Sequence, residues 1–152
     1  MSYPCEIKEQ ASQPTLVVRT RAAVQDLPQV LGRCYGSVFG YLGKLGQQPA
    51  GPPFMGYFNM DMQDLDLEIG VPVAQELPGQ GEVQPSRLPG GMVATCLYTG
   101  PYPEMGPAYD ALTRFIEDNG RQAAGPVYEI YVNDPTTTPP EQLQTLILFQ
   151  LA

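Results

Sequence analysis

The spacing of apolar residues predicts three strands and one helix in each half of the chain. Apolar residues alternate with polar ones in a half-buried strand and recur every three or four residues along a helix. The predicted order is strand, helix, strand, strand, and it occurs twice. The predicted strands are Thr15–Thr20, Phe54–Asn59, Leu65–Val73, Met92–Thr99, Val127–Val132 and Leu143–Leu151, with Cys5–Ile7 as an edge strand, and the helical stripes run from Leu27 to Leu45 and from Met105 to Ile116.

Glycine and polar residues mark where these elements begin and end. Asp26 is predicted to cap the first helix, since aspartate side chains accept hydrogen bonds from the first helical N–H groups. Gly46 and Gly120 are predicted to end the two helices, because glycine adopts the left-handed conformation that follows many helices. Residues 75–91 are rich in glycine, proline and polar side chains and are predicted to form a linker.

The two halves also resemble each other in sequence. Ala50–Asn59 aligns with Ala124–Asn133, and the same offset of 74 residues pairs Tyr35 with Tyr109 and Gly46 with Gly120. We therefore expect one α+β domain over residues 1–152, built from two βαββ repeats at about 15–74 and 92–151. A pseudo-two-fold axis would relate the repeats, with antiparallel sheets, two helices and a ligand groove between the halves.

Glu129 is the residue that does not fit its surroundings. It lies in an otherwise apolar and aromatic strand, and strand alternation places it on one face with Val127 and Tyr131. A carboxylate in such a place is costly unless a cation or a hydrogen-bond donor meets it. In the first half, Met55 matches Glu129 and Tyr57 matches Tyr131, and all four side chains are expected to face the groove between the halves. The tyrosines match while the carboxylate has no match, which favours a ligand that is charged at one end.

Other tyrosines are candidates for the same site. Tyr35, Tyr98 and Tyr102 are expected to line it, with Tyr102 at the rim because it follows Gly100–Pro101. Tyr109 belongs to the helical stripe, and an aromatic residue at helical spacing is more often part of a core. We therefore interpret Tyr109 as a packing residue.

Composition and charge narrow the possible partners. The net charge is −8 and the pI about 4.3, without any Lys/Arg-rich run, which argues against direct nucleic-acid binding and against anionic membranes. Neither a signal peptide nor a membrane-length apolar run is evident, so a cytoplasmic protein is expected. Three widely spaced cysteines indicate a reducing compartment, and with no histidine the sequence predicts no metal and no cofactor.

Taken together, these motifs resemble the GyrI-like small-molecule-binding domain, which also serves as the effector-binding domain of AraC-type and MerR-type multidrug regulators of bacteria. The resemblance covers nearly the whole chain. It rests on the two βαββ halves and on the motifs Leu67–Val73, Tyr98–Tyr102 and Tyr128–Tyr131 followed by Asn133–Pro135. The chain has no room for a helix-turn-helix domain and so resembles a stand-alone member. Haem-binding relatives of SOUL-like fold share this architecture, but the lack of histidine argues against haem.

The resemblance implies an aromatic groove with a central glutamate, at the position of Glu129, that meets lipophilic cations. The implied function is binding or sequestration of hydrophobic, often cationic, drugs or toxins. Whether the chain is an enzyme stays open: Glu129 as general base and Tyr131 as acid would suit a hydrolase of cyclopropane-bearing genotoxic compounds. An interaction with DNA gyrase is a further alternative, and the oligomeric state is not predicted.

Overall fold

A computed structural model describes residues 3–152 and shows eight strands and two helices. The strands are β1 (Cys5–Gln10), β2 (Gln13–Ala22), β3 (Phe54–Tyr57), β4 (Leu65–Pro72), β5 (Val83–Leu88), β6 (Gly91–Thr99), β7 (Ala123–Tyr131) and β8 (Gln144–Leu151). The helices are α1 (Leu27–Leu45) and α2 (Gly106–Asp118), and single 3-10 turns cover Val24–Asp26, Tyr102–Glu104 and Pro140–Gln142. The α+β class and the repeated strand–helix–strand–strand order are confirmed. Neither helix is apolar over a length that would cross a bilayer.

The chain divides into two units, each with one antiparallel sheet and one helix. We call residues 12–89 the N-terminal unit; its strands lie in the order β3-β4-β2-β5, and α1 packs on β2 and β4. We call residues 3–11 and 90–152 the C-terminal unit; its strands lie in the order β1-β6-β8-β7, and α2 packs on β6. The first strand of the chain therefore belongs to the unit of the second repeat, where it is the edge strand that the sequence predicts.

The repeat extends to backbone conformation. Gly46 follows α1 with φ 66°, and Gly120, its counterpart 74 residues later, follows α2 with φ 67°. Both angles lie in the left-handed region that glycine adopts without strain. The two helices are therefore ended by the same device at equivalent positions.

Three local predictions are wrong. Residues 75–91 contain β5, whose pairing with β2 makes this segment part of a sheet. Asp26 stands at the N-terminus of α1, but its side chain makes no capping hydrogen bond, because its backbone already has a helical conformation. Glu68 alternates with apolar residues along its strand, which predicts a solvated face, but it is buried, with its Oε2 accepting a hydrogen bond from Ser86 at 3.1 Å.

The exposed side of α1 offers a simple stability test. Gly36 and Gly40 are exposed, and a Cβ atom at either position would meet no atom within 4 Å. Because glycine is a poor helix former, we expect Gly36→Ala and Gly40→Ala each to raise the free energy of unfolding by about 0.5–1 kcal/mol. Urea denaturation followed by circular dichroism measures the change. Gly46→Ala is the matched control and should destabilise, since its φ is positive; a gain there as large as in the helix would contradict this explanation.

Candidate functional site

Strand β7 places Glu129 on the sheet face that α2 covers. Glu129 pairs with Ile147 of β8, and Val127 pairs with Phe149. Val127, Ile147 and Phe149 pack in one hydrophobic core with Leu112 of α2. Directly paired strand residues point to the same face, so the carboxylate belongs to this covered face and is only 8% exposed. The shared face with Val127 and Tyr131 agrees with the sequence interpretation.

Two tyrosine hydroxyls hold the Glu129 carboxylate. Tyr109, from α2, donates a hydrogen bond to Oε2, and Tyr131, two residues along β7, donates to Oε1 at 2.9 Å. Each carboxylate oxygen thus receives one phenol hydroxyl. Among residues 3–152, no lysine or arginine forms an ion pair with Glu129. The carboxylate is therefore oriented by two uncharged donors, and no positively charged side chain of these residues offsets its charge.

Burial and hydrogen bonding act on Glu129 in opposite directions. Burial raises the pKa of Glu129 because a charged carboxylate loses its hydration, and the hydroxyls of Tyr109 and Tyr131 partly offset this effect by stabilising the charged form. The net result is a pKa above the ordinary value for glutamate. Burial also raises the pKa of Tyr102, reinforced by the negative charges of Asp134 and Glu129. Burial thus shifts both groups toward their neutral forms relative to the same groups in water.

Aromatic rings surround the two phenol donors. The ring of Tyr102 meets the ring of Tyr131 edge to face, with centroids 5.5 Å apart and planes at 63°. The ring of Tyr109 lies against Phe149 with centroids 6.0 Å apart. Edge-to-face contacts fix ring orientation and so help to fix the hydroxyls. We call Glu129, Tyr102, Tyr109 and Tyr131 the glutamate–tyrosine cluster; all four belong to the C-terminal unit.

A buried hydroxyl lies beside this cluster. Thr145 of β8 pairs directly with Tyr131, and its side chain is 0% exposed. Within the described part of the chain, its Oγ1 has no hydrogen-bond partner. A buried hydroxyl without a partner carries a desolvation cost, so Thr145 is an energetically unfavourable polar group next to the cluster. No feature of the sequence distinguishes Thr145, since a lone threonine is ordinary in a strand.

The structure sorts the other predicted site residues. Tyr98 packs in the core of the C-terminal unit, and its hydroxyl donates to the carbonyl of Pro101 at 2.7 Å. A ligand-lining role for Tyr98 stays a prediction. Tyr35, Met55 and Tyr57 belong to the N-terminal unit. Met55 is buried, and Tyr35 donates to the carbonyl of Phe54 at 2.8 Å. A role for these three residues in ligand binding stays a prediction, as does the groove between the halves.

Tyr109 is the cluster residue that sequence reasoning missed. Helical spacing correctly places it on the buried side of α2, packed against the core. However, a phenol has a hydroxyl that needs a partner when it is buried. Its counterpart Tyr35 gives that hydroxyl to a backbone carbonyl, whereas Tyr109 gives it to Glu129. Two features of the repeat could have indicated this role for Tyr109. Tyr35 matches Tyr109 in the first half, whereas no carboxylate there matches Glu129.

Comparison with known proteins agrees with this architecture. The family model described as "GyrI-like small molecule binding domain" matches residues 3–152. The chain therefore belongs to the GyrI-like small-molecule-binding domain family. No curated protein matches the chain in sequence.

Three solved structures show similar folds. The crystal structure of the EcmrR C-terminal domain is 19% identical with TM-score 0.79, over 100% of this chain and 99% of that one. SAV2435 bound to tetraphenylphosphonium is 15% identical with TM-score 0.69, over 100% and 94%. A hydrolase from Listeria innocua is 17% identical with TM-score 0.69, over 97% and 91%.

EcmrR is also the protein in a cryo-EM structure of a complex with DNA. The similarity there has TM-score 0.84 and 19% identity and covers 98% of this chain. The chain spans 57% of the length of the EcmrR chain in that complex.

Proposed function

We propose that the glutamate–tyrosine cluster binds hydrophobic, often cationic, small molecules, so that the protein binds or sequesters drugs or toxins. The observation that carries the proposal is Glu129: its carboxylate is buried, held by two phenol hydroxyls and unpaired with any cation of residues 3–152. Membership of a small-molecule-binding family supports it. The structural neighbour SAV2435, bound to tetraphenylphosphonium, supports the cationic class of ligand.

The chemistry of the cluster suits an aryl cation. A bound positive charge would offset the desolvation of Glu129 and keep it ionised. The faces of Tyr102, Tyr109 and Tyr131 are electron-rich, and each cation–π contact adds about 0.5–2 kcal/mol. Apolar parts of the ligand gain affinity without directional demand, which permits several ligands of different shape. Only the charged centre needs a defined position.

Isothermal titration calorimetry with tetraphenylphosphonium tests the proposal. We expect Glu129→Gln to weaken binding about 10–100-fold, which corresponds to roughly 1.4–2.8 kcal/mol. Neutral triphenylphosphine oxide keeps the aryl groups but makes no charge contact, so its affinity should fall less than threefold in the same variant.

Glu117→Gln is the matched control. Glu117 is an exposed residue of α2, so this substitution changes the net charge by the same amount without touching the cluster. It should leave tetraphenylphosphonium affinity within twofold of the wild type, because distant surface charges are screened. Equal losses in Glu117→Gln and Glu129→Gln would show that only the overall negative charge attracts the cation and would refute the proposed site.

A second candidate function is hydrolysis of cyclopropane-bearing genotoxic compounds. The raised pKa of Glu129 favours it, because a general base works best when its pKa is near the working pH. One structural neighbour is described as a hydrolase, which is consistent with this candidate. Tyr131 would then be the acid toward the leaving group. Mass spectrometry after incubation with a cyclopropane-bearing alkylator decides: a ring-opened product carrying one added water, absent with Glu129→Gln, would support an enzyme.

A further inference from the structure

Cys5 and Cys96 face each other across two neighbouring strands of the C-terminal unit. Cys5 lies in β1 and pairs directly with Cys96 in β6. Both side chains point to the same sheet face, because paired residues of antiparallel strands do so. Cys96 is fully buried in the core, and Cys5 is half-buried and packs against that core. Both are free thiols in the structure.

The hydrogen-bond pattern shows which kind of strand pair this is. The N–H of Leu97 donates to the carbonyl of Pro4 at 3.1 Å, so Leu97 and Pro4 form a hydrogen-bonded pair. Hydrogen-bonded and non-hydrogen-bonded pairs alternate along an antiparallel ladder, so Cys5 and Cys96 form a non-hydrogen-bonded pair. Such pairs have Cα atoms about 4.5 Å apart, within the roughly 4.4–6.8 Å that a disulfide spans. The strands need not separate or slide for the sulfurs to bond.

From this register, we infer that Cys5 and Cys96 are a site of reversible oxidation that forms a disulfide between β1 and β6. The co-reactant is a peroxide, which accepts the two electrons. The Cys5 thiolate attacks one peroxide oxygen, giving a sulfenic acid and releasing hydroxide. The Cys96 sulfur then attacks the Cys5 sulfur, the S–O bond breaks, and the oxygen leaves as water. Two thiols and one hydrogen peroxide thus give one disulfide and two waters.

The order of the two steps follows from the different surroundings of the sulfurs. Cys5 is the partly exposed thiol that a peroxide in solution reaches. Burial, together with the neighbouring Cys5 thiol, raises the pKa of Cys96 to about 12, so Cys96 is a poor first nucleophile. Once Cys5 is a sulfenic acid, the neighbouring Cys96 is its nearest partner. Cys34, also fully buried, lies in the N-terminal unit and serves as an internal control.

The disulfide would fasten an edge strand. In the sheet of the C-terminal unit, β1 is an end strand that pairs with β6. A covalent link between β1 and β6 would suppress fraying of β1 and stabilise the folded chain. A thermal midpoint higher by roughly 5–10 °C is expected, and a thiol reductant should reverse it.

Peptide mapping of the peroxide-treated protein tests this inference without any variant. The protein is treated with hydrogen peroxide, blocked with iodoacetamide and digested with trypsin under non-reducing conditions. We expect one cross-linked species that joins the peptide containing Cys5 to the peptide of residues 88–114, which contains Cys96. Cys34 should be recovered as a separate, alkylated peptide. Treatment with dithiothreitol should separate the cross-linked peptides.

A variant and two adverse results complete the test. Cys5→Ser should abolish both the cross-link and the gain in thermal midpoint, and because Cys5 is only half-buried the variant is expected to fold. Accumulation of Cys5 sulfinic acid without a cross-link would overturn the inference. A disulfide that involves Cys34, or one that joins two protein molecules, would overturn it as well.

Discussion

Gly70→Ala is expected to destabilise the protein by about 3 kcal/mol or more, one of the largest effects of any single methyl group in this chain. Gly70 lies in β4, between β3 and β2. A Cβ atom at this position would lie 2.0 Å from the carbonyl oxygen of Leu16 and 2.8 Å from the Cα atom of Val17. Both contacts are to backbone, so no side-chain rotation relieves them. The strands would have to separate locally, which disturbs their pairing.

Comparison of two glycines makes the measurement decisive. Gly36→Ala adds the same methyl group to an open helix surface and should stabilise, whereas Gly70→Ala should lower the urea midpoint sharply. Because both substitutions add the same methyl group, opposite signs of the two changes in stability would reflect the space around each glycine and not a property of alanine itself. If Gly70→Ala retained the wild-type midpoint, the close approach of β2 to β4 at this residue would be refuted.

The repeated order of elements was predictable because the apolar residues of each element follow the period of a helix or of a strand. Apolar side chains of α1 and α2 recur at helical spacing, and those of β4 alternate, so the two periods are visible in the sequence. The helix ends were predictable for a different reason. Gly46 and Gly120 occupy a conformation that other residues adopt at a cost, so a glycine just past a helical stripe indicates the end of the helix.

Strand β5 could not be predicted from its sequence, and its omission had a second consequence. Its residues are mostly polar and include Pro85, which is tolerated because β5 is an end strand of its sheet. Without β5, Glu68 has no evident donor, and its alternation with apolar residues predicts a solvated face. Ser86 of β5 supplies the donor, and burial raises the pKa of Glu68. The burial of Glu68 could not be predicted, because β5, which supplies its hydrogen-bond donor, lacks the apolar pattern of a strand.

Glu129 and Tyr131 were found because their strand is otherwise apolar and because the repeat has a tyrosine, but no carboxylate, at the matching positions. Tyr109 and Thr145 were not found from the sequence, because core packing alone is a sufficient explanation for a tyrosine in a helical stripe and for a threonine in a strand. What distinguishes them is a hydroxyl in a buried place, and the acceptor of that hydroxyl depends on tertiary contacts. Sequence pattern thus located the carboxylate and one of its donors, Tyr131, whereas the second donor, Tyr109, is evident only from the structure.

Acidification is expected to change the contribution of Glu129 to stability and the cation affinity of the protein in opposite directions. Because the pKa of Glu129 in the folded protein is raised above its ordinary value of 4.5, the native ligand-free state holds this proton more tightly than the unfolded chain does. This contribution to stability is fully present below the unfolded-state pKa and is lost as pH rises through the folded-state pKa. Glu129→Gln lacks it at every pH. The variant should therefore gain stability relative to the wild type as pH rises from about 4 to 7.

Taking the difference between the two proteins isolates this residue. Asp66, Glu82 and Asp134 have lowered pKa values and contribute stability that is lost toward acid pH, and the raised pKa of Glu68 acts in the same direction as that of Glu129. All four groups are present in both proteins, so their effects cancel. Urea denaturation of wild type and Glu129→Gln between pH 4 and 7 gives the comparison; a constant difference over this range would contradict a raised pKa.

Tetraphenylphosphonium affinity should show the opposite trend. In the proposed site the ionised carboxylate meets the cation, so affinity should rise by up to about tenfold per pH unit below the folded-state pKa of Glu129 and level off above it. Tyr109→Phe removes a hydrogen bond that lowers this pKa, so the level region should begin at a higher pH in that variant. Calorimetric titrations at several pH values measure the pH dependence of the affinity for the wild type and for Tyr109→Phe. The affinity of Glu129→Gln should not change with pH. A wild-type affinity that does not change with pH would mean that the cation binds elsewhere, whereas a shifted curve in Tyr109→Phe would establish that the phenol acts through the carboxylate.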